Sequence, residues 1–175
     1  MKETETHVYF LKNWLSNFYK CDIRIKISSN HYPLFKNIEV VSDKYHVFKN
    51  TEQIFMYRKA LMFNDNEVAE KILKVEDPWE AKKLGRLVKN YDDEKWDIFR
   101  YSIMYHANLH KYTQNEYLKK KLIDTYPKVL VECNPRDSIW GIGLSEDDPN
   151  IYDESKWKGK NLLGECLMEV RKDLM

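Results

Sequence analysis

The chain has 175 residues, with 29 Lys and Arg against 28 Asp and Glu and a formal net charge of +1. That length can bury one sizeable core, and the charge balance excludes a binder held to nucleic acid by its overall field, though not a local basic groove. Cys21, Cys133 and Cys166 are odd in number, far apart and without a C-x-x-C pair, which argues against a disulfide framework or a zinc site and fits a reducing compartment. With no signal segment and no apolar run near the ~18 residues a membrane span needs, a soluble, cytoplasmic protein with no membrane partner is expected. Aromatic residues make up 14% of the chain, which suits an aromatic core or a site that stacks on a planar ring.

In chain order, residues 1–6 are polar and read as frayed. His7–Phe10 reads as a short strand. Residues 13–19 form an aromatic loop with small polar residues inside it, either a core plug or a ligand wall. Residues 22–27 alternate strictly, as a half-buried strand does. Residues 38–41 and Tyr45–Phe48 flank Ser42-Asp43-Lys44 and read as a hairpin, while 21–41 as a whole reads as peripheral.

The stretch that follows organises the chain. Asn50 can cap a helix, Gln53 stands three residues on to close a capping box, and Ile54, Phe55, Met56, Ala60, Leu61, Met62 and Phe63 make a broad apolar stripe. Glu52 and Lys59, two turns apart, point nearly the same way. A carboxylate and an amine aligned on a mostly buried helix are costly unless they pair or do chemistry; the plainer reading is a solvated stripe.

Asn64-Asp65-Asn66 can cap a helix carrying Val68, Ala69, Ile72 and Leu73. Asp77-Pro78-Trp79-Glu80 is a strong helix start, and that helix is expected to run to about Val88, with Gly85 inside it signalling close packing. The next starts near Asp92-Asp93-Glu94, with Trp96, Phe99, Ile103, Met104 and Ala107 on one face. Thr113-Gln114-Asn115-Glu116 can start another, with Leu118, Leu122 and Ile123 inward. Residues 129–131 are a short buried strand, and 134–143, with Pro135, Gly141 and Gly143, fit no regular element. An acidic connection leads to a last helix carrying Leu163, Cys166, Leu167 and Val170. The expectation is a single α+β domain over residues 1–175, helix-dominated, with a small β-sheet.

Phosphate-binding glycine loops, zinc-protease helices and nucleophile elbows are absent. His106 and His110 share a helical face, but no acidic third ligand is placed beside them, so no metal is expected. What remains is Glu52 and Lys59 on the central helix, Arg86 beside Gly85, Asp137 before Trp140-Gly141, and the loop 15–19. Each has a structural explanation: Asp137 as a turn cap, Trp140 as core, Arg86 as a salt-bridge partner.

Five motifs in order change the weighing: L-S-N-F-Y at 15–19, T-E-Q-x-F-M-Y-x-K-A at 51–60, A-K-x-L-G-R at 81–86, D-x-I-W-G-I-G at 137–143 and W-x-G-x-N-L-L-G-x-x-L-M-x-V-R at 157–171. Together they resemble the NADAR superfamily, the YbiA-like N-glycosidases. The resemblance implies cleavage of an N-glycosidic bond between a ribose and a base or amine, without a cofactor. The substrate it implies is either a phosphoribosyl-amine intermediate of riboflavin synthesis or ADP-ribose on guanine in DNA or RNA. It carries over Lys59, Glu52 and Asp137 as catalytic, and Asn17, Phe18, Tyr19, Arg86, Trp96, Trp140 and Gly141 as substrate-binding. Lys59 would be a nucleophile forming a Schiff base, Glu52 a proton carrier, Asp137 a ligand of ribose hydroxyls and Arg86 a phosphate grip. A non-catalytic ADP-ribose reader on the same fold is the alternative. A nucleic-acid-binding module is disfavoured by the near-neutral charge.

Overall fold

The computed structural model describes residues 1–26 and 45–175. They are α+β, with strands β1 (Lys2–Glu3), β2 (His7–Phe10), β3 (Ile23–Lys26), β4 (Tyr45–Phe48) and β5 (Val129–Glu132). The helices are α1 (Thr51–Met62), α2 (Asn66–Lys74), α3 (Pro78–Gly85), α4 (Asp93–Thr113), α5 (Glu116–Ile123) and α6 (Leu162–Leu174). They fall into two compact units, one of residues 1–19 and 115–175, the other of 20–114.

In the first unit β2 is the middle strand, antiparallel to β1 and parallel to β5. Residues 1–6, read as frayed, thus contain a strand. Register sets Tyr9 opposite Val131, and these two share a buried cluster with Cys133, Ile142, Leu144 and Ile151. Helix α6 packs against β5. Just before it, Asn161 turns its side chain onto the strand's outer edge: Oδ1 accepts from the Glu132 N–H (3.0 Å) and Nδ2 donates to the Leu130 carbonyl (2.9 Å). One side-chain amide thereby does for the strand edge what a further strand would do.

The second unit contains a two-stranded antiparallel sheet, β3 with β4, and helices α1 to α4. The sequence assigned β4 a partner at 38–41, which lies outside the described residues; its described partner is β3, with Ile23 opposite Phe48. Of the stretch read as peripheral only 21–26 is described, and there Ile23 and Ile25 are buried. The outer edge of β3 is covered as that of β5 is. Gln114 Oε1 accepts from Arg24 N–H (2.8 Å) and its Nε2 donates to the Arg24 carbonyl (2.9 Å).

Helix α1 is buried nearly all round, with only Lys59 reaching partial exposure, and it packs against α2, α3 and α4. Its start follows the expected cap, Asn50 Oδ1 accepting from Gln53 N–H at 2.8 Å. The reciprocal bond is displaced by one residue: Gln53 Oε1 accepts from Lys49 N–H (2.7 Å) rather than from Asn50. Gln53 Nε2 is thereby directed across to α2, donating to the Ile72 and Val75 carbonyls at 2.9 and 2.7 Å. Asp65 makes the second clamp. Its Oδ1 caps α2 at Val68 N–H and its Oδ2 takes Lys89 N–H at 2.8 Å.

Helix α3 ends at Gly85, short of the expected Val88, because Arg86 N–H turns back onto the Lys82 and Lys83 carbonyls and the chain is then caught by Asp65. Gly85 is where α3 meets α1. A Cβ there would lie 2.0 Å from Met56 Sδ and 2.8 Å from its Cγ, so only glycine fits without moving Met56.

Gln53→Ala is expected to lower unfolding free energy by about 2–4 kcal/mol, since it leaves two carbonyls and an N–H without partners in the interior. Urea unfolding checks this; a change within the scatter of surface substitutions, about 0.5 kcal/mol, would show that water replaces the amide.

Candidate functional site

Helix α1 presents one amine. Burial holds the Glu52 carboxylate at 4% exposure and leaves Lys59 half-buried, which contradicts the plainer reading of a solvated stripe. Lys59 Nζ donates to the Gly85 carbonyl (3.0 Å), and it lies 4.1 Å from the ring centroid of Tyr91 and 5.7 Å from that of Trp96. Trp96, buried at the first turns of α4, packs in turn on Phe55 of α1 with centroids 5.0 Å apart. The amine therefore sits in a half-open box with aromatic walls and one carbonyl at its base.

The box is set by features already described. The lack of a side chain at Gly85 brings the end of α3 close to α1 and delivers its carbonyl to Nζ. The Asp65 clamp on Lys89 fixes the segment that carries Tyr91. Asp92 caps α4 by accepting from Lys95 N–H (2.9 Å), which orients Trp96 one residue later.

Electrostatics around Lys59 pull in two directions. Burial pushes its pKa down, Arg86 pushes the same way as a like charge, and Asp93 opposes them. The Tyr91 hydroxyl donates to Asp93 Oδ1 at 2.6 Å; burial first, then that hydrogen bond, pushes the phenol up to about 12. Tyr91 is thus a fixed neutral donor, and its bond holds in place the carboxylate that favours the charged amine.

Glu52, Lys59, Arg86 and Trp96 all belong to the second unit, and of these Lys59, Trp96 and the Arg86 charge surround one point. Asn17, Phe18, Tyr19, Asp137, Trp140 and Gly141 belong to the first. There Asp137 Oδ1 accepts from the N–H groups of Ile139 (3.0 Å) and Trp140 (2.8 Å), so the expected turn cap exists and occupies one of its two oxygens. Gly141 is tight against the Glu132 carbonyl, 2.8 Å from where a Cβ would be; its smallness serves packing. In the loop 13–19, Leu15 and Asn17 are buried, Phe18 is half-buried and Tyr19 exposed, so the loop is partly plug and partly surface.

Three participants escaped the sequence reading. Tyr91 and Asp93 were visible only as residues flanking a helix start, and the Gly85 carbonyl carries no side-chain signal. Away from the box, another amine went unread, Lys111 of α4, 1% exposed and pushed down to about 8 by burial. A single lysine among a helix's polar residues gives no warning that it faces inward. Among the described residues no cluster of three metal-ligating side chains occurs, and no helix is long and apolar enough to cross a membrane.

The chain belongs to the NADAR domain family, whose model matches residues 4–175. Its likeness to particular members is substantial. It is 43% identical over 125 residues to Protein irg-1 of Caenorhabditis elegans, covering 70% of this chain and 59% of that one. It is 41% identical over 122 residues to N-glycosidase R617 of Acanthamoeba polyphaga mimivirus, covering 70% and 72%. The solution structure of Escherichia coli YbiA superposes with a TM-score of 0.70 at 26% identity, covering 99% of this chain and 87% of YbiA. YbiA of that bacterium is also named an N-glycosidase.

The cation at Arg86 and the anion at Asp93 act on Lys59 with opposite sign. In a pH titration of the Lys59 side chain followed by NMR, Arg86→Gln is expected to move the midpoint up and Asp93→Asn to move it down. Shifts of the same sign in both variants would show that altered burial, not charge, governs the amine.

Proposed function

We propose that this protein hydrolyses a ribose–base N-glycosidic bond, removing ADP-ribose from ADP-ribosylated guanine, with Lys59 as the attacking amine. The coarse class, a hydrolase of N-glycosyl bonds, is that of its named relatives R617 and YbiA. The observation that carries the finer reading is the half-buried Lys59 in its aromatic box, its pKa lowered by burial, on the helix that also buries Glu52. A reader of ADP-ribose would need neither a deprotonatable amine nor a buried carboxylate on the same helix.

In the proposed reaction Lys59 Nζ bonds to the anomeric carbon as the bond from that carbon to the base nitrogen breaks. Glu52 supplies the proton the departing base takes up. Nζ then gives up a proton and the ring oxygen gains one, so the ribose opens to a Schiff base. Water adds to the imine carbon, and its collapse frees the sugar and restores the amine. Arg86, exposed at the end of α3, suits a diphosphate by its two-pronged geometry. Trp96 backs the amine. The roles of Asp137 with ribose hydroxyls, and of Asn17, Phe18, Tyr19 and Trp140 with ribose or base, rest on the family pattern. That one domain is at work is supported by the family match, which runs through both units.

A second reading has an observation in its favour. Lys59 Nζ donates to a carbonyl and lies over two rings, contacts that suit a charged amine. In that reading Lys59 binds phosphate and a carboxylate activates water directly. A phosphoribosyl-amine metabolite is the other substrate the same groups would serve.

Incubation with a guanine-ADP-ribosylated oligonucleotide is expected to release ADP-ribose, with Lys59→Ala inactive and Glu52→Ala slowed by about 10²–10⁴-fold. Borohydride added during turnover should attach sugar to Lys59, identified by peptide mass. Trapping in the wild type but none in Lys59→Ala supports the covalent route. Turnover without any adduct supports direct hydrolysis, and adduct at Lys111 would displace Lys59 as nucleophile. Stoichiometric binding with no release from either substrate class would leave a reader.

A further inference from the structure

Helix α3 has an outer face that the chemistry at Lys59 does not use. At about 100° per residue, its buried side is defined by Ala81 and Gly85, which point toward the core. Trp79, Lys83 and Arg86 fall within about 60° of one another on the outward side, at spacings of three, four and seven residues, with half-buried Lys82 at its margin. Trp79 is 55% exposed, an unusual position for the largest apolar side chain. Lys83 and Arg86 are exposed and make no ion pair among the described residues. The helix's one carboxylate, Glu80, is exposed on the flank of this stripe, about 60° from Lys83. Leu87, 66% exposed, continues the apolar character past the helix end.

The stripe runs toward the site. Its last residue, Arg86, follows Gly85, whose carbonyl holds the Lys59 amine. A flat aromatic surface followed by two or three cations at helical intervals is what a polyanion with unstacked planar bases requires: one base laid on the indole, phosphates at the amines and guanidinium. An acidic peptide would satisfy the cations but leave the indole in water. The near-neutral net charge does not oppose this, since the cations are gathered on one short face.

We infer that the outer face of α3 is a docking track for single-stranded nucleic acid, seating nucleotides that flank the modified one. Trp79 stacks a base and Lys83 contacts a backbone phosphate, while Arg86 joins the track to the Lys59 site. The inference rests on the glycosidase reading for its purpose, but not for its test. In that reading it makes the substrate a modified base within a strand.

Anisotropy with a labelled, unmodified single-stranded oligonucleotide tests the track without any turnover. Trp79→Ala is expected to weaken binding about tenfold. Lys83→Gln should weaken it and reduce the slope of log affinity against log salt by about 0.7. Both residues are exposed, so the variants should fold, which circular dichroism verifies. In parallel, release from an ADP-ribosylated guanine nucleoside should proceed unchanged in both variants, while KM for the modified oligonucleotide rises. Equal oligonucleotide affinity in the folded Trp79→Ala/Lys83→Gln double variant would overturn the track. So would displacement of the oligonucleotide by polyglutamate as readily, charge for charge, as by oligothymidylate, which would assign the face to acidic polypeptides. Failure of the wild type to release ADP-ribose from either substrate sinks the glycosidase reading instead, and the anisotropy arm still decides the track.

Discussion

Gln53 is the residue through which the second unit is held together. A helix buried on all sides has no solvent to satisfy the polar groups at its ends or between it and its neighbours, and each such group left alone costs about 1–3 kcal/mol. Gln53 answers several of these demands at once, through its own N–H to the cap, its oxygen to Lys49 and its nitrogen to the Ile72 and Val75 carbonyls at the end of α2. With α1 and α2 joined in this way, Asp65 can fasten the segment beyond α3, and the glycine contact can draw α3 against Met56. The position of Lys59 relative to Tyr91, Trp96 and the Gly85 carbonyl follows from those three attachments.

The same economy of side-chain amides recurs at the sheet edges. Asn161 on β5 and Gln114 on β3 each offer an acceptor and a donor, the first to the alternate positions Leu130 and Glu132 and the second to Arg24 alone, closing edges that would otherwise invite another chain. Short strands of four residues have few ladder bonds of their own, so a single amide is a sizeable addition. In the first unit it also fixes where α6 starts, because Asn161 is the residue before that helix and adopts a positive φ of 55° to reach the strand.

Around Lys59 the chemistry is balanced rather than driven to one side. Desolvation and Arg86 favour the neutral amine; Asp93 and the ring faces of Tyr91 and Trp96 favour the charged one. Such a balance leaves the amine sensitive to what enters the box. A diphosphate that engaged Arg86 would cancel a like charge and raise the amine's proton affinity, whereas closure over a base would increase desolvation and lower it. The resting contact to the Gly85 carbonyl is one bond that any other group engaging Nζ would have to displace.

Local chemistry in the sequence determined most of the elements. Asn50, Asp65 and Asp77 cap helices where caps were expected, and α4 and α5 begin within the stretches read as helix starts, capped by Asp92 and Asn115, because a cap acts within three residues of itself. Alternation was enough for β3, and apolar spacing for the burial of α1. The motifs were enough for the family, since they occur in order along nearly the whole length that the family model matches. Tertiary structure decided what lies between distant residues. It chose β3 as partner of β4, moved the Gln53 Oε1 bond from Asn50 to Lys49 while sending Nε2 to α2, stopped α3 at Gly85 and turned Lys111 inward. It also set Tyr91 and Asp93 around the amine. None of these is a property of a residue and its near neighbours, because each depends on which surfaces meet once the helices have packed.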